Sequence, residues 1–238
     1  MKWNKPYTEY WKQQLQQSKL LQILKDELRG DFNNISLNDI DNFLKKNYTK
    51  ITCAELSAIY IKFFLDLKNI KSNSVNFVGF SEFLILRTLL HLLNEKYYPT
   101  SKLECLPKNE NIGFFNFGNG DLILTTESIE KKFWGNQKRP DIILYRDDWS
   151  KLFGIVSIKA CQVDRTNIEN EITFLKNLEE KMKNENLEYL PLNGLVIVFA
   201  KTNVKDENVC QLWGDTRPIS KVLREKLNLD KINSNKEL

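Results

Sequence analysis

The sequence predicts an α/β fold: a mixed sheet of about five strands flanked by helices, preceded by a helical N-terminal region. Three observations carry this. Residues 1–70 hold helical periodicity with two capping signals. Residues 139–171, RPDIILYRDDWSKLFGIVSIKACQVDRTNIENE from Arg139 onward, read as two apolar strands, a polar turn between them and a helix after. GLVIVFA (194–200) is a short continuous apolar run, the pattern of a strand covered on both faces. At 238 residues with 42% hydrophobic side chains, the chain can bury one large core.

Each element follows in order. Tyr7 to Leu28 forms one long amphipathic segment, with Arg29-Gly30 as its C-terminal stop. Ser36 and Asp39 make a capping box, as do Thr52 and Glu55 before LSAIYIKFFLDL. No chemical motif appears here, so residues 1–70 are expected to form a scaffold or dimerisation region, and 71–238 the functional core. A further helix runs from about Val78 to Leu93. Stepping about 100° per residue, Glu82 falls among Leu86, Leu89, Leu90, Leu92 and Leu93, whereas Arg87, His91, Asn94 and Glu95 fall opposite. A carboxylate in an apolar stripe needs a hydrogen bond, a cation or a metal. Either a backbone or arginine partner, or a place in an acid cluster, would satisfy Glu82.

KNENIGFFNFGNGDLIL (108–124) reads as strand, turn, strand, with Gly118-Asn119-Gly120 as the turn and Asp121 as a turn acid. The basic stretch KKFWGNQKR (131–139) is a solvated loop or a phosphate contact. After the 139–160 hairpin come a helix from about Asn167 to Asn184, the strand at 194–200, a loop through Trp213–Arg217, a helix in RPISKVLREKLNLD and a polar tail.

Composition excludes several classes. No apolar run reaches the eighteen or so residues a membrane span needs. The opening MKWNKPYTEYWKQQ has no apolar signal core, so no secretory signal is expected. Four dispersed cysteines (Cys53, Cys105, Cys161, Cys210) and one histidine argue against a zinc site or a disulfide framework, and a reducing cytoplasm is expected. The net charge of +4 permits nucleic-acid binding without demanding it.

The chemistry concentrates in the hairpin. Asp141 opens the first strand and Lys159 closes the second, 18 residues later. A tight hairpin brings those ends together. Ser157 and Lys159 face one side and Ile158 the other. A carboxylate, a hydroxyl and an amine side by side, with an acid on the next helix, suit a divalent metal beside a phosphate. Arg165 is either a base reader or the partner of Glu169 in a surface ion pair. Cys161 has no histidine partner and reads as a packed side chain. His91 lies on the polar helix face, where catalysis or metal ligation is not expected.

Pro140-Asp141, Ser157-Ile158-Lys159, Asp164-Arg165 and Glu171 together resemble the PD-(D/E)xK nuclease superfamily over residues 78–200. Ser157 stands where the second acid of that motif belongs. In this respect the chain resembles the type II restriction endonucleases that read CCGG-like and CCNGG-like sites, which place Ser or Thr there and carry the replacement acid on the following helix. The resemblance implies a restriction-endonuclease-like core and Mg²⁺ as cofactor. It makes Asp141 and Glu171 metal ligands, with Glu169 the alternative acid and Glu171 12 residues after the lysine. Lys159 orients or deprotonates the attacking water, Ser157 supports an acid or a metal-bound water, and Glu82 completes the acid set. It also makes Asp164, Arg165 and, more weakly, Gln162 DNA-binding residues. The implied function is a bacterial, Mg²⁺-dependent, sequence-specific endonuclease cutting double-stranded DNA as a homodimer, paired with a cognate methyltransferase. The alternatives are a repair, junction-resolving or mobile-element nuclease on the same core, or a DNA-binding module whose site has decayed.

Overall fold

The computed structural model describes residues 4–27, 36–68, 75–97, 101–106, 109–126, 140–146, 151–160, 164–184 and 192–232. Five helices come first: α1 (Asn4–Gln17), α2 (Lys19–Glu27), α3 (Leu37–Asn47), α4 (Cys53–Lys68) and α5 (Val75–Lys96). The strands are β1 (Ser101–Leu106), β2 (Asn109–Phe117), β3 (Leu122–Thr125), β4 (Ile142–Arg146), β5 (Lys151–Lys159), β6 (Asn193–Val198) and β7 (Val209–Gln211). Helix α6 (Arg165–Asn184) joins β5 to β6, and α7 (Ile219–Lys226) follows β7.

The expected single helix over 7–28 is two, broken at Ser18. Its hydroxyl accepts the Leu21 N–H at 3.0 Å, capping α2, and donates to Glu55 on α4. A side chain that caps a new helix competes with continuation of the old one. Both expected capping boxes are present. Ser36 and Asp39 bond reciprocally. Thr52 N donates to Glu55 at 2.8 Å, and Glu55 N donates to the Thr52 hydroxyl at 3.1 Å. Arg29-Gly30 and the tail beyond Ile232 lie outside the described residues.

Among the described residues the sheet has seven strands in the order β1 to β7, where about five were expected. β1 to β5 form an antiparallel meander, and β5, β6 and β7 are parallel. The undercount lies at the two edges of the sheet: β1 was not expected, and β7 has only three residues. Gly118 and Asn119 turn between β2 and β3 with φ near +60° (60° and 57°), as the glycine-rich turn requires.

Helices cover both faces of the sheet. α6 presents Ile168, Ile172, Leu175, Leu178 and Met182 to Ile143, Tyr145, Ile155, Val196 and Val198. Each such side chain contributes about 1.5–3 kcal/mol when fully buried. Ile142, Leu144, Val156, Ile158 and Ile197 point the other way, into a larger core with α4, α5 and α7. That core also contains Tyr10, Leu21, Ile40 and Phe43, so the N-terminal helices and the sheet share one interior and the boundary near residue 70 separates no cores. The polar face of α5 is covered too: Arg87 and His91 both bond Asp41 on α3, His91 at 2.8 Å. Among the described residues, no helix is long and apolar enough to cross a membrane.

Candidate active site

The β4–β5 hairpin builds one wall of the site. Pro140 sits just ahead of β4, where its missing N–H costs no ladder bond. Asp141 follows it: its N–H donates to Val156 O at 3.0 Å, and its carboxylate accepts the Ile158 N–H. Asp141 thus grips the C-terminal half of β5 by main chain and side chain. Because strand side chains alternate, Ser157 and Lys159 share the face covered by α6.

Helix α6 supplies the second wall. Glu171 is 3% exposed and lies on the apolar stripe with Ile168, Ile172 and Leu175. It accepts from Ser157 Oγ at 3.0 Å and from Lys159 Nζ at 2.7 Å. The ion pair is nearly out of water, with side-chain exposures of 14% for Lys159 and 4% for Glu171. A carboxylate this deep is tolerated only with such partners. Glu169, the alternative acid, points outward and pairs with Arg165 at 2.7 Å.

The third wall is α5. Burial, and next the charge of Asp141, push Glu82 above the ordinary carboxylate range, and Lys159 offsets part of this. Glu82 is half-buried and feels the hairpin's charges from the opposite layer. The cluster lies at the C-terminal ends of β5 and β6, where Phe199 N donates to Lys159 O at 2.9 Å. Ligand sites of open α/β sheets form at such strand ends.

The structure thus brings Asp141, Ser157, Lys159 and Glu171 together, with Glu82 within electrostatic reach. It does not bring in Asp164 or Arg165, the proposed base readers among the described residues. Asp164 accepts the Thr166 N–H at 3.3 Å at the start of α6. Arg165, with 75% side-chain exposure, makes its ion pair on the surface. Gln162, Cys161 and the basic stretch 131–139 lie outside the described residues. His91 is buried against Asp41. The Trp213–Arg217 segment is a structural turn: Ala54 N donates to Asp215 O at 2.8 Å, Cys53 N donates to Arg217 O at 3.0 Å, and Trp213 stacks on Tyr10 at 3.8 Å between ring centroids.

Three carboxylates offer only hard oxygen donors, which suits Mg²⁺ in kind. Their spacing is looser than a closed metal cage. Among the described residues, the one set of three His, Cys, Asp or Glu ligand atoms mutually within 4.8 Å is Cys53, Cys210 and Asp215, and not the acid trio. Lys159 and Ser157 hold Glu171 instead, the ammonium supplying the positive charge that a buried carboxylate demands. The dispersion of the cysteines argued against a metal site because 157 residues separate Cys53 from Cys210 in the chain, and the fold brings them together. No protein-family model, curated protein or solved structure matches this chain.

Proposed function

We propose that this protein is a Mg²⁺-dependent endonuclease that hydrolyses phosphodiester bonds in double-stranded DNA at a short sequence-specific site. The observation that supports it is the convergence of Asp141, Ser157, Lys159 and Glu171 at the C-terminal end of β5, with the Lys159–Glu171 pair at 2.7 Å. Asp141 and Glu171 would hold the ion, with Glu82 completing the acid set. When bound, Mg²⁺ would lower the pKa of a coordinated water and stabilise charge on the phosphate oxygens.

The chain's own residues have definite tasks. Asp141, tied to the Ile158 N–H, keeps its carboxylate at the strand end whatever the substrate does. Ser157 donates to Glu171 and fixes that side chain's rotamer, so it supports an acid rather than replacing one. Lys159 leaves part of its contact with Glu171 when phosphate enters. Its ammonium then orients the attacking water and neutralises charge on the scissile group. Glu82, held toward its protonated form by burial and Asp141, regains its charge as positive charge enters the site. Arg165, exposed at the start of α6, reaches DNA by exchanging Glu169 for a guanine edge. A homodimer matching a two-fold symmetric site would cut both strands, and a cognate methyltransferase would protect the host.

A specific observation favours a second reading: Lys159 already neutralises Glu171, the arrangement expected of a DNA-binding module whose site has decayed. Supercoiled plasmid separates the two. The wild type with Mg²⁺ should linearise it. Asp141→Ala and Lys159→Ala should each slow cutting by about a hundredfold or more, with the fold retained by circular dichroism. Glu171→Ala should lose cutting and Glu169→Ala should keep it. Undiminished cutting by Asp141→Ala overturns the assignment.

A further inference from the structure

We propose that Cys53, Cys210 and Asp215 form a binding site for a thiophilic divalent cation of the Zn²⁺ class, separate from the acid cluster. Cys53 is the first residue of α4 and Cys210 the middle residue of β7. Both are buried, at 0% and 2% exposure, and neither is in a disulfide. Their sulfurs and a carboxylate oxygen of Asp215 all lie within 4.8 Å of one another. A tetrahedral Zn²⁺ with Zn–S near 2.3 Å spaces its sulfurs about 3.8 Å apart. The three ligand atoms therefore close around an ion with shifts of about 1 Å.

The surroundings fit the charge. Two thiolates and a carboxylate around a divalent ion leave one negative charge, and Arg217 supplies the compensating positive one. Its Nη2 lies 2.6 Å from Asp215 Oδ2, and its backbone N–H and Nε donate to Oδ1 at 2.9 and 3.1 Å, so Arg217 holds the carboxylate as an outer-shell partner and metal binding uses a remaining lone pair. The hydrogen bond with Cys210 and then burial push the Cys53 thiol up, so the cation itself must displace the proton. The two thiol protons leave to solvent on binding. A cavity of about 460 Å³ lies beside the cluster, lined by Thr52, Ala54, Gly214 and Thr216 and not by the three ligands themselves. Three protein ligands leave the fourth position to an exogenous ligand. The ion staples the helical layer to the sheet edge at β7.

The test uses Co²⁺ as a spectroscopic stand-in, added to the reduced, metal-stripped full chain. Binding should saturate at one equivalent with a sulfur-to-cobalt charge-transfer band in the near ultraviolet, Zn²⁺ should displace it, and Zn²⁺ should raise Tm. Absence of a thiolate band in the wild type overturns the proposal. The Cys105→Ser/Cys161→Ser chain, which leaves the cluster untouched, must keep the band, and its loss there also overturns it. Cys53→Ser or Cys210→Ser should abolish it, and its survival assigns the metal elsewhere. Arg217→Ala should weaken Co²⁺ binding by about 10–100-fold. Asp141→Ala should leave the band unchanged, which separates this site from the nuclease reading.

Discussion

Replacing Lys159 with methionine tests the chemistry of the buried pair on stability alone. Lys159 and Glu171 meet at 2.7 Å with side-chain exposures of 14% and 4%. Methionine keeps the stem and deletes the charge. Glu171 is then left with the Ser157 hydroxyl at 3.0 Å among its neighbours, in a place water barely reaches. Removing one partner of a buried ion pair costs about 3–5 kcal/mol. For a domain of this size each kcal/mol lowers Tm by about 2–4 °C, so the expected drop is about 6–20 °C. The paired variant Lys159→Met/Glu171→Leu removes both charges and should recover most of this, with a coupling energy of about 2 kcal/mol or more. Urea unfolding followed by circular dichroism reads all four corners of the cycle. DNA cleavage should stay absent in the paired variant even where stability returns, which separates chemistry from folding. A Lys159→Met chain within about 1 kcal/mol of wild type would refute the buried-pair reasoning, because that is the behaviour of a solvated contact.

Three further outcomes are expected. Arg165→Ala, on an exposed residue paired with Glu169, should leave Tm unchanged and weaken binding to the cognate site about tenfold to a hundredfold; an equal loss on random DNA would make it a phosphate contact only. Burial pushes His91 below its ordinary 6.5 against the opposing pull of Asp41. Burial raises Asp41, but Arg87 and His91 outweigh it, and Asp41 titrates below 3.8. The unfolded chain therefore takes up protons before the folded one in both windows, below 6.5 for His91 and below 3.8 for Asp41, so acid destabilises. The stability advantage of wild type over His91→Gln should shrink as pH falls below 6.5, and an advantage that grows there contradicts this sign. Gly194→Ala puts a Cβ 3.0 Å from both Leu175 methyl carbons on α6 and should cost about 1–3 kcal/mol in urea unfolding; a neutral result would mean the α6–β6 contact is loose.

Much of the site was legible because strand alternation and hairpin closure are local rules. Pro140-Asp141 and Ser157-Ile158-Lys159 needed only a period of two and a polar turn to meet. Glu171 was expected only from the resemblance; in the structure it lies three residues after Ile168 and four before Leu175, on the buried stripe of its helix, and Glu169 does not. Glu82 was legible from helical periodicity on α5. The break at Ser18 was not readable, because it depends on Glu55 arriving from 37 residues away. The same holds for the burial of the α5 polar face, which needs Asp41 from α3. Strand β7 and the Cys53–Cys210 approach arise from the parallel order of the sheet, a tertiary fact with no local signature.

The most direct test of the central claim is digestion of unmethylated phage DNA by the purified wild-type chain, with about 10 mM Mg²⁺ and separately with EDTA. Discrete fragments that appear only with Mg²⁺, sharing one sequence at their ends, are the expected result. Intact DNA under both conditions, from a folded protein that still binds DNA, would contradict it.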